Sequence, residues 1–331
     1  MADSAFTGPG GVGATIADQV SDDKLVRLFA DGATLVLQAL HRVWPPVLTF
    51  CQQLASELGH PVQANAYVTP PQNQGFSNHY DVHDVFVLQV AGEKQWTIHA
   101  PVHPAPLRDQ PWTDRRAAVE RRAREQPLIE AVLRPGDCLY LPRGFLHAAK
   151  ALGGVSTHLT LGVHSWTRHA LAEQVTSRAL RSLADDPELR GSLPLGVDFT
   201  DPGTLGADVA RVKAVLTRAV SGLDLDALAD DMVRRSRTSS RAAPVGPLRQ
   251  LADAEALRAE TRLMLRGGLQ AGVDHVPGAG AVLRSRGGDL PLAEEEVAAV
   301  KTLVANGETT AADTGLDLAR RLLLAGLAVA G

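Results

Sequence analysis

The stretch GFSNHYDVHDVFVLQVAGEKQW, residues 75–96, puts His79, Asp81, His83 and Asp84 inside six positions. In an extended chain, side chains two apart share a face, so His79 and Asp81 can bridge one metal ion. Two imidazoles and one carboxylate leave neighbouring coordination positions open, the arrangement in which Fe(II) takes a bidentate cosubstrate together with dioxygen. The third ligand must come from elsewhere. His83 shares the face, but three ligands strung along one strand span too far for one ion. His99, His103, His147, His158 and His164 remain. His147 stands out among them. In LRPGDCLYLPRGFLHAAKAL, a Pro-Gly-Asp turn, an apolar strand and a tight Pro-Arg-Gly turn lead to a histidine that opens a returning strand. The set expected to bind metal is therefore His79, Asp81 and His147.

Lys94 follows the AGE of residues 91–93, at the start of what reads as a new strand. An ammonium inside a barrel is costly unless an anion meets it, and a dicarboxylate cosubstrate would supply that anion. Asn65 and Tyr67 share a face of the 62–69 segment and offer it further hydrogen bonds. His83 and His99 read as structural or supporting; His158 reads as structural first and pocket-lining second. Neither HExxH nor HxH occurs, which argues against zinc hydrolase chemistry, and GPGGVGAT lacks the Lys-Ser/Thr of a phosphate loop.

These residues need a scaffold of short strands. Strand-like runs at 33–40, 62–69, 84–90, 94–100, 128–134, 137–142, 146–152 and 155–166 are separated by Gly, Pro and Asn, with one helix at 45–59 that opens on prolines and closes on glycine. The pattern predicts an antiparallel sandwich or jelly roll over 22–166, behind a flexible segment 1–21. Residues 104–127, rich in proline and arginine, read as a solvated insertion with a short helix; a basic loop that touches substrate is the other reading. Helical periodicity takes over at 168–184, 207–220 and 224–236, and 237–247 reads as a linker. From 248 to 331 a strand, a Gly-Gly hairpin and helices at 292–305 and 314–325 suggest a winged-helix-like module. Residues 245–331 hold nine basic and eleven acidic residues, which does not favour direct DNA binding.

The bulk numbers fit this picture. Lys+Arg 33 against Asp+Glu 37 leaves a net charge of -4, with no global pull toward nucleic acid or an anionic membrane. No signal peptide or membrane-spanning helix is expected. Cys51 and Cys138 form no CxxC and read as reduced, buried residues of a cytoplasmic protein.

NAYVTPPQNQGFSNHYDVHDVFVLQVAGEKQW, LRPGDCLYLPRGFLHAA and STHLTL together resemble the JmjC-type, cupin-fold 2-oxoglutarate oxygenases, in their ribosomal oxygenase branch. Members of that branch carry more chain ahead of the part resembling FTGPGGVGATIADQVSDDKLVRLFADG. The resemblance implies Fe(II) held by His79, Asp81 and His147, 2-oxoglutarate held by Lys94 with Tyr67 and Asn65, and O2 as oxidant. It implies a double-stranded β-helix, then an α-helical dimerisation domain over 167–240 and a winged-helix-like domain over 248–331. The implied reaction hydroxylates a protein side chain, an arginine or histidine of a ribosomal protein, by a homodimer in the cytoplasm. Competing readings are a hydroxylase of a free amino acid or natural-product peptide, demethylation of a methyl-lysine, and a non-catalytic cupin scaffold.

Overall fold

The computed structural model describes residues 5–331 apart from 14, 17, 240 and 277–279. Two compact units divide at Ser165/Trp166. Within the expected flexible lead 1–21, β1 (Thr7–Gly8) pairs with β2 (Gln19–Val20), ahead of helix α1 (Asp22–Ala30); residues 1–4, 14 and 17 lie outside the described residues.

The first unit is built on β3 (Leu35–Leu37), β4 (Val62–Thr69), β5 (Asp84–His99), β6 (Ile129–Leu133), β7 (Cys138–Leu141) and β8 (Leu146–Val163). Their order is β3-β4-β8-β5-β6, with β7 also on β5 and every pairing antiparallel. The runs 84–90 and 94–100 were expected as two strands, as were 146–152 and 155–166. Each pair is one long strand. The ladder between β5 and β8 shifts register at Gln89/Ala91 and Ala91/Glu93 instead of breaking, so AGE is a bulge and Lys94 lies inside β5. Gly92 makes this possible: its φ is +64°, and a Cβ there would meet the Val155 carbonyl oxygen at 2.2 Å.

The bulge folds the ribbon into two facing layers. The first half of β5 joins β7, the second half of β8, β4 and β3; the second half of β5 joins β6 and the first half of β8. Val85, Val87 and Leu141 of the first layer cluster with Trp96, Ile98 and Leu133 of the second, a jelly-roll core. Helix α2 (Pro45–Leu58) ends at Gly59 with φ +67° and covers the outside of β4 and β8, with Cys51 against Ala64 and Leu161. Cys138, expected to be buried, is exposed, because it opens the short strand β7.

The second unit starts with helices α4 (Arg168–Ser182), α5 (Gly206–Ser221) and α6 (Leu225–Ser239), after α3 (Arg116–Arg122) of the first. Asp231 ties α6 to α4 through Arg178 at 2.6 Å and Arg181 at 3.2 Å. Helix α7 (Pro247–Glu255) follows, then β9 (Arg262–Leu265), β10 (Ala271–Val276), β11 (Gly280–Ser285), β12 (Gly288–Leu292), α8 (Val297–Asn306), β13 (Glu308–Thr310), α9 (Ala311–Thr314), α10 (Leu316–Leu324) and β14 (Ala328–Ala330). The Gly-Gly hairpin forms between β11 and β12, and β10 adds a third strand. β9 sits between β13 and β14 in a second small sheet. Leu283, Val300, Leu303 and Leu322 are buried together at the centre.

Candidate active site

Pairing across β4, β8 and β5 decides which side chains face the space between the layers. Asn65, Tyr67 and Thr69 stand opposite Thr160, His158 and Ser156. Lys94, Trp96 and Ile98 stand opposite Ala151, Ala149 and His147. Paired residues share a face, so His147, His158, Lys94 and Tyr67 converge although they span 92 positions of sequence.

His79 and Asp81 lie just before β5, in an extended stretch that is a strand only where it meets β8. There His79 and His147 form a mutual backbone pair, His79 N–H to His147 O at 3.2 Å and His147 N–H to His79 O at 2.9 Å. Alternation still operates: Tyr80 points the other way and is buried beside Leu146 and Val119. The Pro-Arg-Gly turn braces the carboxylate side, because the Gly144 N–H donates to the Asp81 carbonyl at 3.0 Å. Gly144 has φ +91°, and a Cβ would meet the His103 carbonyl oxygen at 2.7 Å.

One ligand atom from each of His79, Asp81 and His147 lies within 4.8 Å of the others. His147 Nε2 is 3.7 Å from Asp81 Oδ2, and the two imidazole centroids are 4.4 Å apart. His79 Nδ1 donates to the Ser77 carbonyl at 2.8 Å and His147 Nδ1 to the Phe145 carbonyl at 3.1 Å. With each Nδ1 serving a backbone carbonyl, Nε2 keeps its lone pair. Burial, followed by the neighbouring His79, lowers the His147 pKa to about 4, so that ring is neutral near pH 7. Nitrogen, nitrogen and carboxylate oxygen on one side only suit a divalent ion such as Fe(II) that keeps open positions.

Lys94 is 2% exposed. Its ammonium donates to Thr69 Oγ1 at 2.9 Å and approaches His158 Nδ1 at 3.4 Å, and neither partner offers negative charge. Desolvation lowers its pKa to about 8. His158 is pushed down to about 3 by burial and then by Lys94, and its neutral ring stacks on Tyr67 at 4.9 Å and 5°. Burial raises the Tyr67 pKa, as does the charge of Asp81, so its hydroxyl remains a donor. Asn65 is placed beside it but is already engaged: its oxygen accepts from the Ala39 N–H at 2.8 Å and its side chain hydrogen-bonds Tyr67. Trp96 spans the space between the two ends, 6.0 Å from the His147 ring and 5.4 Å from that of His158. The result is a cleft with metal ligands at one end and an uncompensated cation at the other.

Four residues were missed or undervalued in the sequence. Thr69 and His158 reach Lys94 only through strand register. Phe76 and Trp112 approach the His79 ring at 5.7 and 6.4 Å. Trp112 belongs to the 104–127 insertion, expected as solvated. Its Val119 is instead buried in a cluster with Tyr80 and Leu146, and Tyr80 donates to the Gln110 carbonyl at 3.0 Å. The available signal was the short apolar run Ala117–Ala118–Val119, masked by the arginines on either side. Arg116 lies over the Trp112 ring at 4.8 Å. The other histidines fall elsewhere: His83 stacks on His164 at 5.0 Å, and His103 bonds Gln110 at 2.9 Å.

Residues 40–171 match the JmjC domain family. Ribosomal oxygenase 1 of Rattus norvegicus is 32% identical over 222 residues, covering 62% of this chain and 36% of that protein. The bifunctional lysine-specific demethylase and histidyl-hydroxylase NO66 of Aedes aegypti is 33% identical over 186 residues, covering 52% and 28%. The chain thus spans about a third of the length of these relatives. In fold it resembles the Escherichia coli ribosomal oxygenase YcfD, with TM-score 0.52 and 18% identity over 90% of this chain and 78% of that one. A second structure of E. coli ycfD gives 0.54 and 17% over 98% and 82%. Residues 40–171, which contain the triad, Lys94, Tyr67 and Asn65, match the JmjC domain and fold as a jelly roll.

Proposed function

We propose that this chain is an Fe(II)- and 2-oxoglutarate-dependent oxygenase that hydroxylates an arginine or histidine side chain of a ribosomal protein. One observation carries the reading: a buried ammonium without an anionic partner shares a cleft with three convergent metal-ligand atoms. His79 Nε2, His147 Nε2 and an Asp81 oxygen would hold the ion. Fe(II) with 2-oxoglutarate supplies the activation of dioxygen that a C–H hydroxylation needs.

The chain's own residues position and exclude. Lys94 neutralises the far carboxylate of the cosubstrate, and the Thr69 and Tyr67 hydroxyls orient it. Asn65 acts through Tyr67, whose hydroxyl it fixes. His158 stays neutral and braces both Lys94 and Tyr67. Trp96, Val87 and Ile98 make the cleft floor apolar and keep water from the reacting atoms. The protein needs little acid–base chemistry for this; it contributes alignment.

The names of the relatives support the substrate class: two are a ribosomal oxygenase and a histidyl-hydroxylase. A ribosomal substrate would set the work in the cytoplasm. The division of labour we propose is catalysis by 22–166, homodimerisation by 167–240 and a winged-helix-like interaction module in 248–331 that does not bind DNA directly. Supporting dimerisation, α4 and α5 bury only Ala179 and Val215 among their described residues, while Leu171, Leu180, Val209, Val212, Leu225 and Val233 of α4–α6 are exposed. The test is incubation of the full chain with Fe(II), 2-oxoglutarate and purified ribosomal proteins, followed by succinate assay and peptide mass mapping. Substrate-stimulated succinate and one added oxygen on an arginine or histidine are expected; stimulation by free amino acids alone would contradict the reading.

A further inference from the structure

We infer that Phe76 is the shield of the cleft, and that without a substrate its own ring receives the oxygen atom. The second half rests on the activity proposed above.

Phe76 touches both ends of the arrangement. Its ring lies edge-on to Tyr67 at 6.0 Å and 78°, and to His79 at 5.7 Å and 64°. It therefore joins a metal ligand to the hydroxyl-bearing ring that stacks on His158 beside Lys94. Yet Phe76 is 53% exposed. Its backbone is strapped in place: the Asn73 carbonyl accepts from Ala151 N–H at 2.9 Å, Gly75 N–H donates to the Ala149 carbonyl at 3.4 Å, and the Gln74 side chain donates to the Phe76 carbonyl at 3.0 Å. Two of these straps run to β8, the strand that carries His147. The ring is thereby held where it caps the space between Tyr67 and His79.

The neighbouring aromatics are less well placed for oxidation. Trp112 has Arg116 over its ring and packs with the Tyr80 cluster, and Tyr67 is stacked on His158. Of the rings that border a metal ligand, Trp96 is buried and Trp112 half-buried, so when no substrate fills the mouth the Phe76 ring is the one that faces the open side. The balance is that of the proposed reaction. One oxygen atom of dioxygen enters a C–H bond of the ring, giving a phenol; the other enters the new carboxylate of succinate as 2-oxoglutarate loses carbon dioxide. Dioxygen takes two electrons from that decarboxylation and two from the C–H bond.

Two arms test this on the full chain. In the first, anaerobic calorimetry compares 2-oxoglutarate binding to the metal-loaded wild type, Phe76→Ala and Phe76→Leu. Loss of an aromatic contact predicts roughly three- to tenfold weaker binding for the alanine variant, with partial recovery in the leucine variant. Unchanged affinity in both overturns the shield. In the second, the wild type turns over 2-oxoglutarate under isotopically heavy dioxygen without substrate, and peptides are mapped by mass. One heavy oxygen on Phe76, absent from Asp81→Ala, is expected. Succinate formation with Phe76 unmodified, or with the label on Trp112 or Tyr67, overturns the inference and leaves the oxygenase reading standing. Neither binding nor succinate in the wild type sinks that reading, and the inference with it.

Discussion

Lys94 is where single-residue physics speaks most clearly. A buried ammonium facing a hydroxyl and a neutral imidazole is held at about 8 by desolvation alone. An anion at that point restores the charged form, so anion binding and protonation of Lys94 are linked. The sign follows: below pH 8 the ammonium is present and binding is strong, and as pH rises past about 8 a proton must be taken up to bind. The affinity for 2-oxoglutarate should therefore weaken above that pH in the wild type and lose this dependence in Lys94→Met, with binding reduced roughly ten- to hundredfold. Calorimetry across pH 7 to 9.5 checks both. His79, Asp81, Lys94, Tyr67 and His147, the residues proposed to hold the metal and the cosubstrate, were legible because alternation, the AGE segment and the turn before His147 leave fixed spacings in sequence. His158 and Thr69 were not, because their contacts with Lys94 arise from the register of β4 on β8 and the ladder to β5.

At the scale of elements, the site depends on glycine at two bends. Gly92 lets β5 bulge against the Val155 carbonyl, and Gly144 lets the turn before β8 brace Asp81. Gly144→Ala would place a side chain on a φ of +91° against the His103 carbonyl. A stability loss of about 1–3 kcal/mol is expected, with weaker Co(II) binding because the Asp81 backbone loses its fixed donor. Denaturant titration and metal titration of the same variant read the two effects separately. The strands were legible as apolar runs, but AGE and the Gly-Gly at 153–154 looked like turns. Local sequence carries no sign that the ladder continues through them; the partner strand decides it. Helix α1 was missed although its signals were present, with Ser21 capping it and Asp22 and Asp23 in its first turn. The inserted helix α3 can be probed through Val119, 1% exposed, where alanine should cost about 1 kcal/mol and loosen Trp112.

Across the whole molecule, buried neutral histidines make the first unit acid-sensitive. His158 sits at about 3 when folded against an ordinary 6.5. The unfolded chain takes up the proton first, so stability is full above about pH 6.5 and drains away as pH falls toward 3, by on the order of 5 kcal/mol. Urea midpoints at pH 7 and 4.5 should differ accordingly, and His158→Gln should flatten the difference. Among the described residues no helix is long and apolar enough to cross a membrane. The proposed dimer would cover the apolar side chains left exposed on α4–α6. Light scattering behind size exclusion should give a dimer at micromolar concentration, and Leu180→Asp with Leu225→Asp a monomer. The central claim, that one cleft binds a metal through His79, Asp81 and His147 and an anion through Lys94, is tested most directly by anaerobic titration of Fe(II)-loaded protein with 2-oxoglutarate. Binding in the wild type that disappears in His79→Ala and in Lys94→Ala is the result the account predicts; no binding in the wild type, or binding that survives both substitutions, would contradict it.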